Sequence, residues 1–373
     1  YTVGVEEEYQ LVDPATGGLV SRARDVLEMD WAGEGGHEVQ QTQVEIATRI
    51  CDTAADVDSE LRRLRFLMAS VVAARDLFPV AAGLHPFSRW HDQRHTDAPR
   101  YRRLIERYGR VIESEHVFGM HVHVAVPDAL DRMTVIRRIR PYLPHLLALS
   151  ASSPFFEGSD TGYASYRTVL NDRLPCSGPP PPFAAETDYW SFTEELIDRG
   201  VAMDAGTSYW TVRPHHRYPT IEVRCADVCP RVDDAVAITT LARGLIVAAA
   251  EDGLPDPARG GDPAGEARLR ADHWQASRFG LAARLGSTER TLEPVRDGVR
   301  RLRDRVAPFS ERIGDGDQLE ALDTLLERGN GARRMRAVAA RTGNLTETVG
   351  WLAGETLVGT GLDRWRSEPV GVC

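Results

Sequence analysis

Residues 1–12 read Tyr1-Thr2-Val3-Gly4-Val5-Glu6-Glu7-Glu8-Tyr9-Gln10-Leu11-Val12. Val3, Val5, Tyr9 and Leu11 fall on one side of this run and Gly4, Glu6, Glu8 and Gln10 on the other, the period of two that marks a half-buried strand. The strand has an apolar back and an acidic front. Glu6 and Glu8 point the same way, with backbone positions about 7 Å apart. Two such charges repel unless a cation stands between them. Alone, they fit a solvated strand edge as readily as a metal site.

Three further runs repeat the pattern. In residues 119–126, Met120, Val122, Val124 and Val126 share one face and His121 and His123 the other; Pro127 ends the run, because proline cannot donate to a ladder. Glu45, in Gln41-Thr42-Gln43-Val44-Glu45-Ile46-Ala47, and Glu222, in Thr220-Ile221-Glu222-Val223-Arg224, are again carboxylates between apolar neighbours. Each is weak by itself, since paired histidines and core-adjacent glutamates are common without a ligand. The recurrence carries the reading. A sheet that paired the four runs would gather four carboxylates and an imidazole on one concave face, and such a face requires cations. Many carboxylate oxygens with little thiol suit Mg2+ or Mn2+ better than Zn2+, and Mg2+ suits phosphate chemistry. Arg213 and Arg224 lie on one expected hairpin and are candidates for a phosphate clamp.

The remaining pattern supplies cover for such a sheet. Apolar residues recur at helical spacing over residues 54–76. Residues 128–150 read as two helical pieces meeting at Pro141, placed in the first turn of the second. A proline-rich loop at 178–182 precedes a helix over 186–199, and residues 208–213 and 220–225 read as a long hairpin. From 233 onward helical periodicity dominates, broken by a Pro/Gly-rich stretch at 253–265. The expected fold class is α+β, a curved antiparallel sheet with helices packed outside. The expectation is one integrated domain over residues 1–373, strand-rich over 1–230 and helical over 231–373, catalytic if the front face of the sheet is a site.

Composition narrows the chemistry. The 373 residues carry 55 acidic and 45 basic side chains, a net charge of -10, which argues against a nucleic-acid partner. All 45 basic residues are arginine. Without lysine there is no Walker-A loop, no protein-kinase strand lysine and no Schiff base to pyridoxal phosphate. Five cysteines, Cys51, Cys176, Cys225, Cys229 and Cys373, include no Cys-x-x-Cys pair and favour a reducing compartment. Cys225 and Cys229 read as buried thiols rather than half of a zinc site. No apolar run approaches 18 residues, so the expectation is a cytoplasmic protein with no membrane span.

Six ordered stretches together resemble the carboxylate-amine ligase family, also called glutamate-cysteine ligase type 2, within the glutamine-synthetase-like superfamily. They are Gly4-Val5-Glu6-Glu7-Glu8, Gly83-Leu84-His85-Pro86-Phe87, Gly119-Met120-His121-Val122-His123, Leu149-Ser150-Ala151-Ser152-Ser153-Pro154 with Ala164-Ser165-Tyr166-Arg167, Ile221-Glu222-Val223-Arg224, and residues 274–281. The resemblance implies a cup-shaped active site on the concave face of the sheet, holding ATP and two or three Mg2+ ions. It implies metal ligation by Glu6, Glu8, Glu45, His121 and Glu222, and phosphate contacts by Arg224 and Arg213. His123 would back these ligands or face substrate, and Arg167 would clamp a substrate carboxylate unless it is a surface arginine. The implied substrates are a small carboxylate, L-glutamate in the first instance, and an amine such as cysteine, joined through an acyl phosphate. A homodimer is implied by the same likeness. His-x-His also opens metal-dependent hydrolase sites, but the eight-fold repeat of that fold is missing. A non-catalytic relative would have lost a ligand carboxylate, and all are present. Residues 174–183 are placed where a long loop could act as a lid or lie static.

Overall fold

The computed structural model describes residues 1–29, 31, 34–256, 262–286 and 291–362. Its frame is an open seven-stranded sheet in which every pairing is antiparallel: β1 (Val3–Val12), β2 (Gly35–His37), β3 (Gln43–Ala47), β4 (Phe78–Val80), β5 (Gly119–Ala125), β6 (Val212–Pro214) and β7 (Thr220–Asp227). The order is β6-β7-β5-β1-β3-β2, with β4 also pairing with β1. The four runs singled out above are β1, β3, β5 and β7, and they are contiguous. Register sets Glu6 opposite His121, Glu8 opposite Glu45, and Glu222 opposite His123, so one face collects them all.

The other face is core. Val3, Val5, Met120, Val122, Val124, Ile221 and Val223 are buried in one large apolar cluster, while Tyr9, Leu11, Val44 and Ile46 belong to a second. Helices cover both clusters. The ones that matter for the site are α1 (Ala54–Ala73), α2 (Arg132–Ile139), α3 (Leu143–Ser150), α4 (Tyr166–Asn171), α5 (Val232–Ala250), α6 (Pro263–Phe279) and α7 (Leu345–Leu357). Leu64, Met68 and Val72 of α1 pack on the β1–β3 half, and the almost wholly buried α5 lies behind β5 and β7. Thr53 starts α1 with a capping box: its hydroxyl accepts from Asp56 N, and its backbone N–H donates to the Asp56 carboxylate.

Several expectations shift in detail. Pro141 lies in a 3-10 turn (Arg140–Tyr142), and the first-turn proline of α3 is Pro144. The predicted hairpin is β6–β7, but its first half breaks after Trp210, where Tyr209–Trp210 pairs in parallel with Ser177–Gly178. That pairing ties down residues 174–183, which form part of a wall: Leu174 is buried, and Phe183 packs on Tyr189 and Phe192. A small hairpin, Arg284–Gly286 with Leu292–Pro294, interrupts the helical half unannounced. Part of the Pro/Gly-rich stretch and Cys373 lie outside the described residues. Cys51, Cys176, Cys225 and Cys229 are free thiols. Among the described residues no helix is long and apolar enough to cross a membrane.

Three histidines are buried without charge partners that would keep them protonated. Burial pushes His85 down to about 4, His116 to about 3 and His145 to about 4. Each can bind a proton when unfolded that it does not hold when folded, in the window from about pH 6.5 down to those values. Stability should therefore fall as pH drops from 7 to 5, by up to about 1.4 kcal/mol per pH unit for each histidine. Urea unfolding at the two pH values measures it; a midpoint independent of pH would contradict the buried neutral state.

Candidate active site

The front face of β1, β3, β5 and β7 holds a tight set of ligand-bearing side chains. Donor atoms of Glu6, His121 and Glu222 lie within 4.8 Å of one another, and so do those of Glu8, Glu45 and His121. His121 Nδ1 is 3.2 Å from Glu6 Oε2, and His123 Nε2 is 3.4 Å from Glu6 Oε1. Burial disfavours ionising Glu6, but the close approach of the two histidines outweighs it and holds its carboxyl well below the usual range. His121 moves down, first by burial and then by the Arg224 charge, which leaves a neutral imidazole with a lone pair to give.

The carboxylates crowd. Burial together with its carboxylate neighbours Glu38, Glu6 and Glu8 raises Glu45 well above its ordinary value, and burial with Glu8 pushes Glu38 up to about 8. Glu38, just past β2, was not visible in the sequence, because the short strand before it has no alternation to read. Five carboxylates, counting Glu38, with one imidazole form a hard oxygen-rich donor set, and their mutual repulsion is relieved by a divalent cation. These residues fit Mg2+ or Mn2+.

The arginines divide into two kinds. Arg213 is almost fully buried and directs Nε to Glu222 Oε2 (2.7 Å), Nη2 to Glu222 Oε1 (3.3 Å) and Nη1 to the carbonyls of Gly206 (2.9 Å) and Ser208 (2.7 Å). With four hydrogen bonds to the protein it is a holder of Glu222. Arg224 donates Nη1 to Glu222 and otherwise faces the cleft. Burial opposes the charge on Glu222, but Arg224 and Arg213 hold it well below the ordinary carboxylate range.

Arg167 is no surface residue: it is 3% exposed and lines the same cleft as Glu8, His121 and Arg224. It lies in the first turn of α4, whose cap is Ser165. Beneath it sits Asp227, fully buried, its Oδ1 3.8 Å from Arg167 Nη1. Asp227 accepts from Ser152 N (2.8 Å), Ser153 Oγ (2.7 Å) and Ser165 Oγ (2.8 Å). Strict alternation would turn Asp227 to the back of β7. A bulge between Val223 and Ala226 shifts the register and pairs Asp227 with Gly119 instead. Gly83 and Gly119 make room for this assembly: a Cβ at 83 would stand 2.6 Å from Asp227 Cγ, and one at 119 would overlap the Arg167 guanidinium. The stretch at 274–281 braces it from outside, Ser277 O accepting from Ala164 N and Ser165 N at 2.9 Å. The opposite wall of the cleft is apolar, made by Leu104, Ile112 and Leu174 with Tyr209. Glu115 also lines it.

The profile of glutamate-cysteine ligase family 2 matches residues 2–350. A protein of Saccharopolyspora erythraea provisionally named glutamate–cysteine ligase 2-1 is 39% identical over 95% of both chains. One of the same provisional name from Rubrobacter xylanophilus is 35% identical over 94% of both. Among solved structures, a glutamate–cysteine ligase of Francisella tularensis in complex with AMP superposes with a TM-score of 0.73 at 12% identity, covering 96% of this chain and 89% of that one. A bifunctional glutathione synthetase of Pasteurella multocida gives 0.68 at 14% identity, covering 96% of this chain and 52% of that one. At these identities the two structures establish the fold, the helix-flanked antiparallel sheet expected from sequence.

Proposed function

Because the chain belongs to glutamate-cysteine ligase family 2 and is a carbon–nitrogen ligase joining a carboxylate to an amine, we propose that it uses ATP and forms an acyl phosphate on the γ-carboxylate of glutamate. The observation that carries this reading is the single sheet face on which Glu6, Glu8, Glu45, His121 and Glu222 surround a cleft flanked by Arg224 and Arg167. Bound Mg2+ would supply the positive charge that offsets the phosphate oxygens as charge moves in the transfer.

The chain's own groups place and stabilise the reactants. Glu6, Glu8, Glu45, His121 and Glu222 hold the cations, with His123 backing Glu6. Arg224 meets the transferred phosphoryl oxygens, and Arg213 keeps Glu222 ionised and oriented for it. Arg167 receives the carboxylate that does not react, and Asp227 fixes its guanidinium plane. The substrate γ-carboxylate oxygen attacks the γ-phosphorus and ADP leaves; an amine then attacks the acyl carbon, forming C–N as the C–O bond to phosphate breaks. Cysteine is the first acceptor to test.

The decisive assay incubates the purified protein with Mg-ATP, L-glutamate and a pool of amino acids and amines, reading ADP and product masses together. ADP with a condensed product supports the proposal and names both substrates; absence of ADP with every combination contradicts it. Arg167→Met removes one charge-assisted recognition contact, worth about 2–3 kcal/mol, so KM for the carboxylate substrate should rise roughly 30- to 150-fold. An unchanged KM would take Arg167 out of substrate recognition.

A further inference from the structure

The reaction proposed above needs a proton acceptor, because an amine arrives as an ammonium ion and attacks only when neutral. The carboxylates of the sheet face are poorly suited: Glu6, Glu8, Glu45 and Glu222 are assigned to cations, and Glu38 stands among them. One carboxyl group of the cleft stands apart from that cluster. Glu115 enters from the segment that leads into β5. Gln40 Nε2 pins its backbone by donating to the carbonyls of Ile112 (3.3 Å) and Glu115 (3.2 Å). Its side chain lines the cleft beside Leu104, Ile112, Val117 and Leu174, across from Arg167.

The Oε2 atom of Glu115 is shielded from solvent and has no hydrogen-bond partner. No ion pair involving it is formed among the described residues. The cation that acts on it most strongly, Arg173, directs Nε to Leu170 O (2.9 Å) and Nη1 to Ser114 Oγ (3.1 Å). A buried carboxyl group left unsatisfied in an otherwise well-bonded site calls for a donor from outside the protein. An ammonium group supplies one.

Resting on the ligase reading, we propose that Glu115 binds the ammonium group of the acceptor, a primary amine on a short apolar body, and takes its proton before the attack. The proton passes from R–NH3+ to a Glu115 carboxylate oxygen. The freed lone pair forms the C–N bond to the acyl phosphate, and the C–O electrons leave with phosphate. The second amine proton goes to the departing phosphate or to water. The apolar wall of Leu104, Ile112, Val117 and Leu174 accommodates the body of the amine and keeps water from the acyl phosphate.

The electrostatics are compatible. Burial pushes Glu115 up to about 8, against the lowering pull of Arg173 and Arg167, with Glu8 and Asp172 adding to the rise and Tyr209 also close. The main cause is desolvation by its own wall. A base with that affinity for protons matches an ammonium ion far better than an ordinary carboxylate does.

Hydroxylamine distinguishes this role from a structural one, because it is unprotonated at neutral pH and needs no base. Wild type and Glu115→Gln are compared for hydroxamate formation from L-glutamate with Mg-ATP, and for ligation of the acceptor found in the product screen. The expected result is a loss of about 100-fold or more in kcat with the amine acceptor, and hydroxamate formation within threefold of wild type. The variant's residual amine activity should climb with pH as free amine accumulates. Equal losses with both nucleophiles, or amine ligation at the wild-type rate, would overturn the assignment while wild-type hydroxamate formation still upheld the ligase. Wild type that makes neither product would overturn both.

Discussion

Glu8→Gln should abolish Mg2+-dependent ADP formation, lowering kcat by about a thousandfold or more, and leave the fold intact. Glu8 stands between the two halves of the cluster: it faces Glu45 across the β1–β3 pairing, its donor atom is grouped with those of Glu45 and His121, and it accepts from Gly119 N. Glutamine keeps the shape and an oxygen for Gly119 N–H but removes the charge that offsets a divalent cation. The folded state loses nothing by this. Glu8 contributes to raising both Glu38 and Glu45, so neutralising it relieves repulsion in the cation-free protein. A ligand that binds only the folded state adds about 2.7 kcal/mol at about 100 Kd. Wild type should therefore gain stability with Mg-ATP, whereas the variant should start at least as stable and gain little. Full activity in Glu8→Gln, or an undiminished thermal shift with Mg-ATP, would remove Glu8 from the metal site.

Four strands of this site are legible in sequence because each obeys period two for at least five residues with one face buried. Where that regularity stops, so does the reading. Glu38 follows a three-residue strand and Glu115 sits in a turn before β5, places where no periodicity fixes a direction. Asp227 is hidden by the bulge in β7, since one inserted residue exchanges front and back for everything after it. A bulge leaves no mark in composition here; Cys225 and Ala226 look like ordinary strand residues. Arg213 exposes a different limit. Its position on the front face is readable, but whether a guanidinium points outward to a ligand or sideways to a neighbour depends on the carbonyls of Gly206 and Ser208, which come from the preceding turn. The same holds for Arg167, whose burial comes from the loop containing Ser152 and Ser153 together with Asp227, not from α4 itself.

Glu7, wedged between the two candidate ligands, points to the opposite face of β1, and breaking its ion pair should have the largest effect on stability of any single change considered. Arg65 of α1 and Glu7 are both fully buried. Arg65 directs Nη2 to Glu7 Oε1 (2.6 Å) and Nε to Glu7 Oε2 (3.1 Å), and it also donates to the carbonyls of Cys229 (3.0 Å), Pro230 (3.0 Å) and Thr356 (3.4 Å). One side chain thus joins β1, α1, the connection from β7 to α5, and α7, while Tyr9 adds its hydroxyl to Glu7. Removing Arg65 leaves a carboxylate and several carbonyls buried without partners, and neutralising Glu7 leaves a guanidinium buried without its counter-charge. Arg65→Met and Glu7→Gln should each cost about 3–5 kcal/mol in urea unfolding. Replacing both residues by apolar ones should cost less than the sum of the single changes, because no unpaired charge remains, although the three carbonyls still lose their donor. Below its unfolding transition the Arg65→Met protein should keep a KM for the carboxylate substrate close to wild type, since Glu6 and Glu8 are held from the front by β3 and β5. Arg65→Met within 1 kcal/mol of wild type would mean the pair is dispensable. A selective rise in KM without loss of stability would mean that the back of β1 tunes the front, so that its alternate glutamates do not divide into one for the fold and two for the chemistry.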